Sequence, residues 1–191
     1  MKEVSRMENK KPDRRTARTK KMIYNALSEL LTEKELHKIT VQEVVDKANL
    51  SRGTFYKHFF DVFDVYDSMA EIILVEVGIA LVEVASKDTK TFFTGITDYL
   101  SHNPSISRMI IAGKLKEQLT KLFEGLFRQI QSEKLGISIN DTALSYVNSY
   151  RANGFVAILT KWIQSNFKEP ADEIVKHLTK LDTYIENYMT K

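Results

Sequence analysis

Apolar residues recur every three or four positions along almost the whole chain, and no segment alternates apolar and polar residues as a half-buried strand would. This spacing matches the turn of an α-helix, so the sequence predicts an all-α fold. Capping residues, prolines and glycines divide the pattern into nine helices. Their expected bounds are 16–33, 40–48, 52–59, 61–86, 90–102, 105–111, 114–133, 138–164 and 170–188.

Two short helices near the N-terminus carry the clearest local signals. Thr40 and Glu43 lie in the sequence Thr-Val-Gln-Glu, a capping box that satisfies two backbone donors at the start of the first helix. Asn49 tolerates the left-handed conformation of a tight helix exit, and Ser51 can cap the second helix. The pattern predicts a helix-turn-helix over residues 40–59.

The second of these helices has an apolar side and a polar side. Leu50, Phe55 and Phe59 would anchor the apolar side, and a helix over 52–59 would be about 12 Å long, comparable with the width of the DNA major groove. Gly53 would let the backbone approach a duplex. The polar side is formed by Arg52, Gly53, Thr54, Tyr56, Lys57 and His58.

These polar side chains suit contacts with DNA. Arg52 can donate two hydrogen bonds to guanine, and Thr54 can reach a thymine methyl group or a phosphate. Tyr56 and Lys57 can bond to phosphate oxygens. The alternative is that Tyr56 and His58 only pack this small unit.

Residues 48–59 read Ala-Asn-Leu-Ser-Arg-Gly-Thr-Phe-Tyr-Lys-His-Phe, which resembles the recognition signature of the TetR family of bacterial regulators. The likeness extends over residues 15–70. It implies a dimer with a divergent helical body, and usually repression that a small molecule relieves. Thr40 and Gln42, in the preceding helix, match positions at which the family contacts DNA. With them, the expected DNA-binding residues are Thr40, Gln42, Ser51, Arg52, Gly53, Thr54, Tyr56, Lys57 and His58.

The sequence departs from the family pattern at two places. Asn49 stands where the family usually has a glycine, a change that asparagine can tolerate in the turn. Val62 stands where the family usually has a lysine that contacts phosphate, so that contact is not carried over.

Charge is distributed unevenly along the chain. Residues 1–60 hold 14 Lys and Arg against 8 Asp and Glu, whereas residues 61–191 hold 14 against 17. A basic N-terminal unit favours a polyanionic partner, although its cluster of cations, from Lys10 to Lys21, would also suit a solvated tail. We expect a flexible basic tail over 1–14, a DNA-binding head over 15–60, and an effector-binding and dimerisation body over 61–191.

Composition excludes several classes of protein. The chain has no cysteine, which removes disulfides, thiolate metal sites and cysteine nucleophiles. The first 21 residues are basic and polar, so we expect no secretory leader and a cytoplasmic protein. The most apolar stretch, residues 69–85, carries Glu71, Glu76 and Glu83, which would be costly in hydrocarbon, so we expect no membrane span. It predicts a helix packed on several faces, with Glu76 and Glu83 marking a hydrated stripe.

An effector pocket in such a body would lie between the fourth and eighth helices. Aromatic residues at helical spacing belong to the core more often than to a pocket, so no single aromatic residue of the body identifies the pocket. Arg151, Asn148 and Asn153 would either orient a ligand or hydrogen-bond across a dimer. The candidate pocket residues are Phe92, Phe93, Tyr99, His102, Met109, Phe127, Tyr146, Tyr150 and Phe155.

The last helix has an apolar seam with intervals of three and four residues, which indicates a partner helix. The family resemblance implies that the eighth and ninth helices pair with their copies as a four-helix bundle. The candidate dimer residues are Ile158, Trp162, Ile174, Leu178, Leu181 and Ile185.

The main hypothesis is a DNA-binding transcriptional repressor that a small molecule releases. The alternative is a DNA-bound coactivator or architectural protein whose body binds another protein. An enzyme is disfavoured, because the four histidines are scattered and neither a glycine-rich phosphate loop nor metal-ligand spacing occurs; we expect no cofactor and no metal. The operator, the effector, the regulated genes and the direction of regulation stay open.

Overall fold

The fold was obtained as a computed structural model, which describes residues 14–85, 88–112, 115–136, 138 and 141–189. These residues form nine α-helices, with a single 3-10 turn at Leu36–Lys38 and no strand. The helices are α1 Arg14–Glu33, α2 Val41–Ala48, α3 Arg52–Tyr56, α4 Val62–Ala85, α5 Thr89–His102, α6 Pro104–Ala112, α7 Leu115–Leu135, α8 Thr142–Gln164 and α9 Ala171–Met189.

The all-α prediction is confirmed, and most helix ends agree within the one or two residues by which such assignments vary. Arg14, which was expected to end the basic tail, is the first residue of α1. The rest of that predicted tail, residues 1–13, lies outside the described residues.

Two helix bounds were wrong for identifiable reasons. α3 ends at Tyr56 because the amides of Lys57 and His58 both turn back to the carbonyl of Phe55, which tightens the chain. α8 starts at Thr142 instead of residue 138, since the side chain of Asp141 accepts the amide of Leu144 at 2.9 Å and caps the helix there.

Helices α1 to α3 enclose the small core of the head. Their buried side chains include Ile23 and Leu27 of α1, Val44 and Val45 of α2, and Phe55 of α3. The three helices therefore bury one face each against a common centre, which holds two short helices that would be unstable alone.

The head is attached to the body through α1, which packs on α4 and α6. The hydroxyls of Tyr24 on α1 and Ser68 on α4 are 2.8 Å apart and share a hydrogen bond. The buried side chains of the head and the body form one continuous hydrophobic cluster. In its body part, five phenylalanine rings pack with centroid distances from 4.8 to 6.3 Å: Phe92, Phe93, Phe123, Phe127 and Phe155.

The expectation that α4 packs on several faces was wrong. Val75 and Ile79 are 61% and 62% exposed, and Ile72 is also exposed. Among the described side chains of α4, residues 62–79, the neighbouring helices cover the opposite side, where Ile73 and Met69 are buried. Within the described residues, no helix is long and apolar enough to cross a membrane.

Candidate DNA-binding surface and body cavity

The N-terminus of α2 is fixed by reciprocal hydrogen bonds. The amide of Glu43 donates to Thr40 Oγ1 at 3.3 Å, and the amide of Thr40 donates to Glu43 Oε2 at 2.9 Å. Lys34, the residue after the C-terminal end of α1, donates to the same carboxylate. The hydrogen bond from Lys34, followed by those from Thr40, lowers the pKa of Glu43 from 4.5 to about 2. α2 is thereby tied to α1 while Thr40 stays exposed.

The turn from α2 to α3 uses local backbone chemistry that the sequence predicted. Asn49 has φ 53° and ψ 48°, a left-handed conformation that asparagine tolerates better than most residues. The amide of Leu50 then donates to the carbonyl of Val45 at 2.9 Å. Ser51 caps α3, because its Oγ accepts the amide of Thr54 at 3.1 Å.

α3 is anchored from behind by aromatic side chains. Phe55 is fully buried, and Phe59 just beyond the helix is nearly so. The Phe59 ring lies 5.7 Å from the Tyr24 ring of α1, and Lys20 Nζ lies 5.3 Å from its centroid. A five-residue helix gains its fixed position from these contacts.

Of the predicted DNA-binding residues, seven are exposed and two are half-buried. Thr54 and His58 are the half-buried pair, and the hydroxyl of Thr54 lies 2.9 Å from that of Ser51. We call the exposed set the recognition surface: Thr40, Gln42, Ser51, Arg52, Gly53, Tyr56 and Lys57.

The outer side of α3 is open at Arg52, Gly53 and Tyr56. Tyr56 is 51% exposed, so it does not serve mainly to pack the head. Its hydroxyl accepts a hydrogen bond from Arg52 Nη2 at 3.4 Å, which leaves other guanidinium donors available. A Cβ added to Gly53 would meet only Ser51 Oγ, at 3.9 Å, so the space outside Gly53 is open.

The body contains an apolar cavity of about 200 Å³, partly open to solvent, between α4, α5, α6 and α7, with one contribution from α8. Phe92 and Tyr99 are the two predicted pocket residues that line it. Ile106 and Ile110 of α6 form one wall of the cavity. Gly95 of α5 also lines the cavity, and the space beside its Cα is open.

The other predicted pocket residues lie elsewhere. Phe93, Phe127 and Phe155 belong to the phenylalanine core, where they border a separate groove next to α9. Met109 is fully buried and accepts a hydrogen bond at its carbonyl from Tyr66, at 2.8 Å. These placements follow from packing between helices, which the spacing within one helix does not encode. The three remaining candidates, His102, Tyr146 and Tyr150, are exposed.

Sequence reasoning missed Glu76 as a cavity residue, although its position among apolar residues of α4 was a usable signal. Glu76 lines the cavity and is exposed, which places it toward the mouth. Tyr99 lies nearby: burial, and then the charge of Glu76, raise the pKa of the Tyr99 hydroxyl.

Half of the predicted dimer residues are buried inside the protomer. Trp162, Ile174 and Leu178 are buried because α9 packs its seam on α5 and α8 of the same chain. The indole of Trp162 donates to the carbonyl of Glu169 at 2.7 Å. Ile158 and Ile185 are half-buried.

Outside this seam, α8 and α9 expose a large apolar surface. Tyr146 and Tyr150 of α8 are 75% and 74% exposed, which explains their absence from the cavity. Grooves between the two helices connect them to the side chains of α9. We call the exposed set the tyrosine face: Tyr146, Tyr150, Leu181, Tyr184 and Tyr188.

Beneath the tyrosine face, a buried ion pair joins α8 to α9. Arg151 Nε and Nη2 donate to the two carboxylate oxygens of Asp182 at 2.6 and 2.9 Å. The guanidinium carbon also lies 4.5 Å from the centroid of the Phe127 ring. Of the three polar residues singled out on α8, Arg151 therefore binds within the protomer.

Two protein-family models match this chain, and both describe transcriptional regulators. A family model described as the C-terminal region of transcriptional regulators matches residues 87–183. A second model, described as bacterial regulatory proteins of the tetR family, matches residues 23–61.

Individual relatives are distant. The HTH-type transcriptional regulator YxbF of Bacillus subtilis (strain 168) is 22% identical over 168 residues, which are 83% of this chain and 43% of YxbF. The chain thus spans less than half the length of this curated relative.

Two solved structures share the fold. The fatty acid degradation regulator FadR from Bacillus halodurans is 14% identical with a TM-score of 0.68, over 85% of this chain and 93% of FadR. The dihydroxyacetone kinase operon activator DhaS is 18% identical with a TM-score of 0.61, again over 85% of this chain and 93% of its own.

Proposed function

The chain belongs to the TetR family of bacterial transcriptional regulators, a family of DNA-binding regulators rather than enzymes. On this premise we propose that it is a homodimeric repressor, that it binds operator DNA through the recognition surface, and that a small molecule in the body cavity releases it. It would act in the bacterial cytoplasm, where the operator lies. The observation that carries the proposal is α3, which is capped by Ser51, anchored by Phe55, and exposes Arg52, Tyr56 and Lys57.

Each part of the recognition surface has a proposed role. Arg52 reads guanine, since an arginine near the start of a recognition helix can point into the major groove. Tyr56 and Lys57 bond to phosphates and fix the position of α3. Thr40 and Gln42 contact the backbone and groove edge beside α2, and open space at Gly53 permits close approach of the duplex.

Dimerisation is proposed to occur through the tyrosine face. Exposed aromatic side chains in one patch are costly in water and are typical of interface centres. Ile158 and Ile185, both half-buried, lie at the same grooves and would be covered with it. The buried candidates Trp162, Ile174 and Leu178 would then support the interface from behind.

Coupling between cavity and DNA is proposed to pass through α6. This helix lines the cavity with Ile106 and Ile110 and also packs on α1 of the head. The Tyr66 hydroxyl of α4 donates to the carbonyl of Met109 and accepts a hydrogen bond from the amide of Leu115 at 3.4 Å. A shift of the junction between α6 and α7 would therefore also move α4. A ligand that fits one position of α6 better would change the separation of the two heads.

The exposed apolar side of α4 favours a second candidate function. Ile72, Val75 and Ile79 form a stripe at helical spacing that would suit a protein partner. In that case the chain would be a DNA-bound coactivator or architectural protein, and its body would not need a small ligand.

Selection from a library of random duplexes tests the DNA-binding proposal. The purified chain should enrich an inverted repeat whose half-sites are about one helical turn apart, because a symmetric dimer presents two copies of α3. Enrichment of no sequence, or of a single half-site only, would contradict a dimeric operator-binding regulator.

A further inference from the structure

We propose that the molecule bound in the body cavity is an apolar organic cation, an aromatic or alkyl amine whose ammonium group pairs with Glu76. This inference deepens the effector proposal above and rests on it. It specifies a chemical class that neither the family assignment nor the similar proteins supply.

The cavity walls set the apolar part of the ligand. Apart from Glu76 and the hydroxyl of Tyr99, the described lining residues are aliphatic, aromatic or glycine. An apolar cavity of about 150 Å³ is known to bind benzene. A volume of about 200 Å³ therefore accommodates one aromatic ring with a short chain.

Glu76 sets the charge of the ligand. It is the only lining residue among those described that carries charge at neutral pH, and it takes part in no ion pair within the described part of the chain. A carboxylate beside low-dielectric walls attracts a cation and repels a carboxylate ligand.

Tyr99 is the second lining residue that favours a cation. Tyr99 is half-buried and lines the same cavity as Glu76. The electron-rich face of a tyrosine ring also attracts ammonium groups. A cation at the mouth would thus meet a carboxylate and an aromatic ring together.

Three probes of nearly equal size separate charge from shape: phenylpropylamine, phenylpropanol and phenylpropanoate. Their dissociation constants for the full chain are measured by isothermal titration calorimetry. The amine should bind about tenfold more tightly than the alcohol, because a charge-assisted hydrogen bond is about twice as strong as a neutral one, and the carboxylate should bind least.

Matched variants assign the preference to one side chain. Glu76→Gln should remove the preference for the amine and leave the affinity for the alcohol unchanged. Glu71→Gln is the control, since Glu71 is an exposed carboxylate on the same helix that does not line the cavity. Equal affinity of the parent chain for amine and alcohol, or a preference that survives Glu76→Gln, would overturn the proposal.

A second pair of variants separates failure of the charge inference from failure of the cavity itself. Gly95→Leu should fill the cavity and abolish binding of the amine and the alcohol, whereas Gly125→Leu on α7, outside the cavity, should not. If the alcohol binds the parent chain, Gly95→Leu blocks that binding, and the amine binds no more tightly than the alcohol, then the cavity binds ligands but the inference of a cationic ligand is refuted. If no probe binds the parent chain at millimolar concentration, both the cavity's ligand role and this inference fail.

Discussion

Glu43 shows how one side chain fixes the geometry of the head. Its carboxylate accepts hydrogen bonds from Lys34 and from the amide and hydroxyl of Thr40. The charged form is therefore favoured in the folded state, and its pKa falls to about 2. Because the folded pKa lies below the ordinary value of 4.5, Glu43 stabilises the head above pH 4.5 and loses that effect as the pH falls toward 2.

The first prediction concerns the substitution Glu43→Gln, which keeps a neutral capping box but removes the titrating group. The variant should be less stable than the parent chain at neutral pH, and the difference should shrink between pH 4.5 and about 2. Urea unfolding at a series of pH values measures it. A difference that stays constant over this range would show that the charge of Glu43 contributes nothing.

At the scale of single helices, local signals were the most predictable part of the protein. The capping box at Thr40, the left-handed Asn49 and the cap at Ser51 depend on neighbouring residues, and all three occur as predicted. The length of α3 was harder to predict, because the apolar spacing of Phe55 and Phe59 does not reveal that the amides of Lys57 and His58 turn back to the carbonyl of Phe55.

The cavity could be predicted only in outline, because it is formed by side chains from five helices. Helical spacing shows which side of a helix is apolar but not which neighbouring helix covers it. This is why Phe155 proved to be core and Tyr146 surface, and why Ile174 and Leu178 of the α9 seam are buried in their own protomer. Glu76 likewise lines the cavity because α4 packs next to α5, α6 and α7, which its own sequence neighbours do not reveal.

The second prediction concerns the link between α8 and α9. Asp182→Ala would leave Arg151 buried without its counter-ion, which costs about 3–5 kcal/mol of unfolding free energy. Asp172→Ala, at an exposed carboxylate in the first turn of α9, should cost less than about 1 kcal/mol, the upper range of what an exposed acidic side chain contributes at a helix N-terminus. Guanidinium denaturation compares them, and equal losses of stability in both variants would contradict a structural role for the ion pair.

The whole molecule is proposed to work as a symmetric pair in which two heads match two half-sites. The tyrosine face and the recognition surface belong to different helices, so dimerisation and DNA binding can be disrupted separately. Only the dimer gains the combined affinity of two heads, because binding of the first head makes binding of the second intramolecular.

The third prediction is that charging the tyrosine face produces monomers. Tyr150→Glu combined with Tyr184→Glu places two carboxylates where apolar packing is expected, and light scattering should report a monomer with helical content unchanged. Val75→Glu combined with Ile79→Glu is the matched control, since it charges an equally exposed apolar patch on α4. A dimer that survives the tyrosine substitutions but not the control would move the interface to α4.

The most direct test of the central claim, that the recognition surface reads operator DNA, is a salt titration by fluorescence anisotropy on the selected operator and on a scrambled duplex. Arg52→Ala should cost about 1–3 kcal/mol on the operator and little on the scrambled duplex, because hydrogen bonds to bases carry the discrimination. Lys57→Ala should weaken binding to both duplexes about equally and flatten the plot of log affinity against log salt by about one unit for each phosphate that the variant no longer neutralises. An equal decrease in affinity on both duplexes for Arg52→Ala would contradict base reading by Arg52, and unchanged affinity in both variants would contradict DNA binding through α3.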